Sequence, residues 1–250
     1  MPEPVGWIEP DWPAPSRVRA LTTTRQGGFS APPFDGLNLA GHLGDDPGAV
    51  RRNRRLLRES LALPAEPLWL HQVHGAGVVT AGSCPEGWEA DAVFTRTPGR
   101  VCAVLTADCL PLLLCNRGGD QVAAVHAGWR GLAAGVIEAA LERFSAPGRD
   151  IMAWLGPAIG PGAFEVGDEV RELFLRQDAA AAEAFSPAGA GRWLADIYRL
   201  ARRRLAARGL GFVYGGDCCT VSDPERFFSY RRDGRTGRMA SLIWIEEQKS

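Results

Sequence analysis

The chain reads as an α/β fold, a mixed β-sheet core with helices packed against it, and three observations predict this. Short apolar runs bounded by Gly, Pro or charged turns recur through residues 67–127, and their length is that of strands. RGLAAGVIEAALERF and WLADIYRLARRRLAARG instead repeat their apolar residues at helical spacing. The 250 residues suffice for a substantial core, and no linker is long or polar enough to force a division. We therefore read a single domain over residues 1–250.

Taken in order, RVRALTTTRQGG predicts a strand over Val18 to Thr23 that runs into a Gly-Gly turn. The long loop that follows is rich in turn residues, and loops of that size inside a compact domain usually carry function. Asp46-Pro47 opens a helix through Leu61, with proline at the first helical position. Its Arg51, Arg52, Arg54, Arg55 and Arg58 suggest a solvated basic face. PLWLHQVHG, GVVTAG, DAVFTRT, VCAVLTADCLPLLLCN and QVAAVHAGW read as strands. One helix is expected over 130–144, a strand in DIMAWLGPAI, a helix in FEVGDEVRELFLRQ and a surface loop over 178–191. An amphipathic helix ended by Gly209 comes next, and strands near FVYGG and RMASLIWIE close the chain.

Composition narrows the function classes. Hydrophobic residues make up 46%, charged residues 23%, and the net charge is −1, so no basic field points to nucleic acid or an anionic membrane. No signal peptide is evident, nor any run of about 18 apolar residues that would span a bilayer. A cytoplasmic protein is expected. Its six cysteines (Cys84, Cys102, Cys109, Cys115, Cys218 and Cys219) form no CxxC pair, so thiols rather than disulfides are expected.

Two residues interrupt the apolar run VLTADCLPLLL. A central carboxylate in a strand is costly without compensation, and proline is unexpected within a central strand. The strand is therefore expected to end or bulge near Asp108 and Cys109, where a side chain is re-aimed. His126 ends the apolar strand VAAV and precedes Gly-Trp-Arg-Gly, at the kind of strand–helix junction where α/β folds keep ligands. Arg130 adds positive charge there, suited to a phosphate or carboxylate. His71 and His74 would face opposite ways on one extended strand, and His74, beside Gly75, is the one placed for function. If these edges meet, His74, Cys109 and His126 form either a three-ligand zinc site with an open position or a nucleophilic Cys-His pair. Asp108 would orient a ligand or act as a general base.

The motifs TTTRQGGFS, LNLAGHLGDD, HQVHG, DAVFT, ADCLPLLL, VHAGWRG, GPAIGPGAFEVG and ERFFSYRRDGRTGRMAS resemble the bacterial laccase-domain family, over about residues 17–245. Its members are described both as multicopper polyphenol oxidases and as zinc-dependent purine nucleoside phosphorylases. The resemblance implies an α/β (α+β) sandwich distantly like Cys-His deamidating toxins. It implies zinc on His74, Cys109 and His126, and phosphorolysis of adenosine, inosine, guanosine and methylthioadenosine with adenosine deamination. One branch of the family is linked to peptidoglycan editing, as an amidase removing L-Ser from a muropeptide precursor. A multicopper oxidase needs several His-x-His clusters, which four histidines cannot supply. Copper would enter such N/S ligands only adventitiously. Arg25, Arg54 and Arg130 are candidates for phosphate, Asn38 for substrate, and Tyr230 or Arg231 for the purine. The partners expected are a nucleoside and phosphate, with the chain a monomer or weak homo-oligomer.

Overall fold

The computed structural model describes residues 4–83 and 87–247, so Cys84 lies outside the described residues. Strands β1 (Trp7–Ile8) and β2 (Val18–Thr23) precede helix α1 (Pro47–Ser60). Then come β3 (Val78–Thr80), β4 (Ala92–Thr95), β5 (Cys102–Thr106), β6 (Leu110–Asn116) and β7 (Val122–Ala127). Short helices α2 (Trp129–Ala134) and α3 (Val136–Leu141) lead to β8 (Ile151–Leu155). After β9 (Glu165–Gly167) and α4 (Asp168–Gln177), β10 (Phe185–Gly189) and β11 (Arg192–Ala195) form a hairpin. Helix α5 (Ile197–Ala207), β12 (Phe212–Gly215), α6 (Tyr230–Asp233) and β13 (Met239–Ile245) complete the order.

The α/β class holds, with the strands divided among three sheets: β1-β2-β13-β5, β10-β11-β9 and β12-β8-β6-β7-β4-β3. Period-2 alternation explains the layering. On β6, Leu112 and Leu114 face the layer shared with α2, α3 and α5, while Leu113 and Cys115 face the four-stranded sheet. That sheet answers with Cys102 and Val104 of β5 and with Ile243 and Ile245 of β13. Its outer residues, Ala103, Leu105, Leu242 and Trp244, pack under Leu57 of α1 and under Leu37 and Leu39 of the long loop. Both sheets are thus covered on both faces, which is why these strands read as unbroken apolar runs.

Helix α1 forms as expected: the Asp46 carboxylate accepts from the N–H groups of Gly48 (2.8 Å) and Ala49 (3.1 Å). The break expected near Asp108 and Cys109 is present: VLTADCLPLLL is two strands in two sheets, and Ala107–Cys109 is the corner between them. Four expectations need correction. Pro111 nevertheless lies inside the central strand β6: it has no N–H for the Gly156 carbonyl, and the Tyr198 hydroxyl donates to that carbonyl instead (3.2 Å). The helix over 130–144 breaks at Gly135, whose φ of 91° lies in the left-handed region glycine tolerates. PLWLHQVHG is no strand and makes only isolated bridges at Leu68 and His71. Finally, residues 178–191 hold a 3-10 turn and β10, while FEVGDE and WLAD supply β9 and β11 before their helices begin.

Candidate metal centre and its cavity

Cys109 is the last residue of the sheet-to-sheet corner, one residue before β6. The corner is tight, with Asp108 at φ 90°. His126 is the fifth residue of β7, paired with Pro111 across the ladder and buried. Ala123, Val125 and Ala127 face the helices, so alternation turns His126 toward the other sheet, where Cys109 waits. His74 arrives from the loop before β3 at φ 62°. Its Nε2 lies 3.7 Å from the Cys109 Sγ, and its ring meets that of His126 edge to face at 4.8 Å and 75°. One ligand atom from each of the three residues falls within 4.8 Å of the others. The structure therefore brings together the three residues expected to bind metal.

Asp91, fully buried just before β4, organises this trio. Its Oδ1 lies 2.7 Å from the His126 Nδ1, and its carboxylate accepts from the N–H groups of Gly75 (2.7 Å), His74 (2.9 Å) and Val73 (3.3 Å). The backbone carbonyl of Asp91 accepts from His126 N–H at 2.7 Å. Three successive N–H groups committed to one carboxylate cannot join a ladder, and this is why HQVHG is not a strand. With Nδ1–H held by Asp91, the His126 ring presents Nε2 as a ligand. Two imidazole nitrogens and a thiolate fit a tetrahedral divalent metal with a fourth position open. The sequence signal for Asp91 was only a carboxylate opening the apolar strand DAVFT.

Charge supports the same reading. Burial would raise Asp91, but His126 and the N–H groups of Gly75 and His74 hold it below its ordinary range. Burial also raises the Cys109 thiol, yet the His126 and His74 rings outweigh it and bring it down to about 6. His126, lowered by burial, is carried up to about 9 by the Cys109 sulfur and Asp91. Between these values the metal-free pair is thiolate and imidazolium. The stability it contributes is lost as pH falls through about 6 and again as pH rises through about 9. Iodoacetamide should accordingly modify Cys109 of the metal-free protein at a rate that climbs through pH 6. Peptide mapping separates it from Cys219, and a midpoint near the ordinary thiol value of 9.0 would contradict the geometry. Burial pushes Cys102 and Cys115 upward, which keeps them silent.

The trio opens into a cavity of about 390 Å³. Trp129, Ile159, Phe164 and Ile197 form an apolar wall, with Tyr230 exposed among the lining residues. Of the expected substrate residues, Arg130, Tyr230 and Arg231 line this cavity, and so does Asp108, expected as an orienting or general-base residue. Arg130 stacks on Trp129 at 4.3 Å. Asp108 accepts from the Thr220 hydroxyl (2.5 Å) and the Arg231 N–H (2.6 Å), so both of its oxygens tie the 220–231 segment to the site. The other three are placed elsewhere. Arg25 pairs with Asp35 at 3.0 Å beside a separate depression. Asn38 is buried among loop contacts to Asp45, Ala40 and Arg238. Arg54 donates to the Leu39 carbonyl and stacks on Trp69. Sequence reasoning missed Arg238, Gln72 and His42, which also line the cavity. His42 is lowered by burial and by Arg238, His71 and Arg54.

A family model described as multi-copper polyphenol oxidoreductase laccase matches residues 19–246. Purine nucleoside phosphorylase PA4543 of Pseudomonas aeruginosa is 57% identical over 242 residues, which cover 96% of this chain and 99% of that protein. Purine nucleoside phosphorylase YfiH of Escherichia coli is 55% identical over 239 residues, 95% of this chain and 98% of the relative. Among solved structures, Neisseria meningitidis protein NMB0706 superposes with a TM-score of 0.93 at 49% identity, over 97% of this chain and 100% of that one. YlmD from Geobacillus stearothermophilus gives 0.87 at 31% identity, covering 97% of each chain. With a family model matched along nearly its whole length and relatives above half identity, the chain belongs to the multi-copper polyphenol oxidoreductase laccase family, whose YfiH-type members share its mixed α/β fold.

Proposed function

We propose that this chain is a zinc-dependent purine nucleoside phosphorylase acting on adenosine, inosine, guanosine and methylthioadenosine, with adenosine deamination as a side activity. The observation that carries the reading is the His74–Cys109–His126 trio, braced by Asp91, at a cavity lined by guanidinium groups and an apolar wall. Relatives named purine nucleoside phosphorylase support it. A phosphate oxygen attacks C1′ as the N9–C1′ bond breaks. The bonding pair leaves with the purine, which takes up a proton, and the products are the free base and a sugar 1-phosphate. Arg130 and Arg231 stabilise negative charge on phosphate or on the departing purine. Trp129, Ile159, Phe164 and Ile197 bury the base. Asp108 acts as a positioning residue for Arg231, while Asn38, Arg25 and Arg54 support the site by ordering the loop. Zinc, when bound by the trio, supplies a Lewis acid with one open coordination position. The same ligands would take up copper adventitiously. We place the protein in the cytoplasm, as a monomer or weak homo-oligomer. Among the described residues no helix is long and apolar enough to cross a membrane.

The test is metal analysis of the purified protein, followed by inosine with and without phosphate. Stoichiometric zinc and release of hypoxanthine only with phosphate are expected. A protein without zinc, whose turnover survives His126→Ala, would sink this reading. The Cys109 thiolate beside His126 and Asp91 favours one rival, a metal-free amidase releasing L-Ser from a muropeptide precursor. That rival requires activity that survives chelation and is lost in Cys109→Ala.

A further inference from the structure

Arg238 has no role in the reading above. It stands one residue before β13, whose ladder pairs Met239 with Thr106. Continued by one step, that register sets Arg238 opposite Ala107, at the corner that presents Asp108 and Cys109. Arg238 lines the cavity, and its main-chain N–H is pinned by the Asn38 Oδ1 at 3.0 Å. In its guanidinium only Nη1 bonds to protein, donating to the carbonyls of Thr236 and Gly237 at 2.9 Å. Nε and Nη2 have no protein acceptor, and no carboxylate pairs with Arg238 among the described residues. Thr106, across the ladder and also lining the cavity, adds a buried hydroxyl without a protein partner.

Partly withdrawn from water, and attracted by the nearby Asp108 carboxylate and Cys109 sulfur without pairing with any carboxylate, this guanidinium keeps two donors free for an anionic ligand. Asp108, the carboxylate facing the same cavity, is already occupied by Thr220 and the Arg231 N–H. We infer that Arg238 is the anion anchor of the cavity, binding inorganic phosphate through Nε and Nη2 beside the His74–Cys109–His126 trio. The inference rests on the phosphorolysis reading for the role of that phosphate, and on geometry alone for the anion site. A planar fork with two parallel donors matches two phosphate oxygens. The arrangement puts the oxyanion at the sheet-edge wall of the cavity and leaves the Trp129–Phe164 wall for the base.

The experiment uses zinc-loaded wild type, Arg238→Met and Arg238→Lys, with zinc content and melting temperature recorded for each. Steady-state kinetics give KM for phosphate at saturating inosine and for inosine at saturating phosphate; calorimetry gives phosphate affinity without nucleoside. Arg238→Met should weaken phosphate about tenfold or more, as expected for losing a charge-assisted pair. KM for inosine should stay within about twofold, because the base lies on the other wall, and Arg238→Lys should recover part of the loss. Unchanged phosphate KM and affinity in a folded, zinc-loaded Arg238→Met would overturn the inference. If wild type binds phosphate through Arg238 yet releases no base from any nucleoside, the anion site stands and the phosphorylase reading falls. If Arg238→Met does not fold, Arg238→Lys decides by the same readings, an unchanged phosphate KM counting against the site.

Discussion

On the zinc reading proposed above, replacing Asp91 with asparagine should weaken zinc binding by about 10- to 100-fold, the usual cost of removing a carboxylate behind a metal-bound histidine. Three losses coincide in that substitution. The amide cannot match the carboxylate as acceptor for His126 Nδ1–H, so the ring's tautomer and orientation are released. The local negative charge that makes His126 a stronger donor to the metal disappears. An –NH2 group must also replace one oxygen among the N–H groups of Val73, His74 and Gly75, setting donor against donor. Since those N–H groups hold His74 at its left-handed φ of 62°, two of the three ligands lose their support at once. Competition with a chromophoric chelator measures the effect directly. Wild-type affinity in a folded Asp91→Asn protein would show that His74 and His126 are held by other means. Asp91→Glu keeps the charge and should retain more affinity than Asp91→Asn if charge rather than reach dominates.

The second large effect concerns the seam between the two large sheets. Leu113 is fully buried on the β6 face that meets the four-stranded sheet. Leu113→Ala should cost about 2–5 kcal/mol, through lost transfer energy and a cavity that two rigid sheets cannot close. Guanidinium unfolding of the zinc-loaded protein, compared with Leu112→Ala on the helix-facing side, measures it. On the other face the packing partners sit on separate short helices that can shift toward the gap more readily than two hydrogen-bonded sheets, so Leu112→Ala is expected at the lower end of the same range. Because Cys109 and His126 are anchored to β6 and β7, a loss confined to stability, with zinc content intact, would show that the seam supports the fold without tuning the site.

The difference between what sequence shows and what structure adds is visible in single residues. Periodicity located α1 nearly to its caps, and the apolar runs matched β5, β6 and β7 because strands covered on both faces need no polar alternation. Helix continuity over 130–144 was misjudged because the apolar spacing continues across Gly135, and only its backbone angle breaks the helix. The trio itself was legible as a set of irregularities: a Cys and an Asp inside an apolar run, a histidine beside a glycine, and a histidine just ahead of a Gly-Trp-Arg-Gly turn. Family motifs then linked those irregularities to zinc.

What only tertiary structure decided is which partners surround them. Asp91 and His126 are 35 residues apart, and Arg238 reaches the site from the far end of the chain through antiparallel pairing of β13 with β5. Arg25, Asn38 and Arg54 looked as eligible in sequence as Arg130 and Arg231, but the segment after β2 and helix α1 carry the first three to other contacts. Residue type and local spacing by themselves determined the fold class and picked out His74, Cys109 and His126 as candidate donors, leaving a metal site and a Cys-His pair both open, because fold class and donor type depend on short-range pattern. The second tier of the site depends on sheet register and on loops closed by single carboxylates. Those arise from contacts between segments distant in the chain, and local spacing carries no record of them.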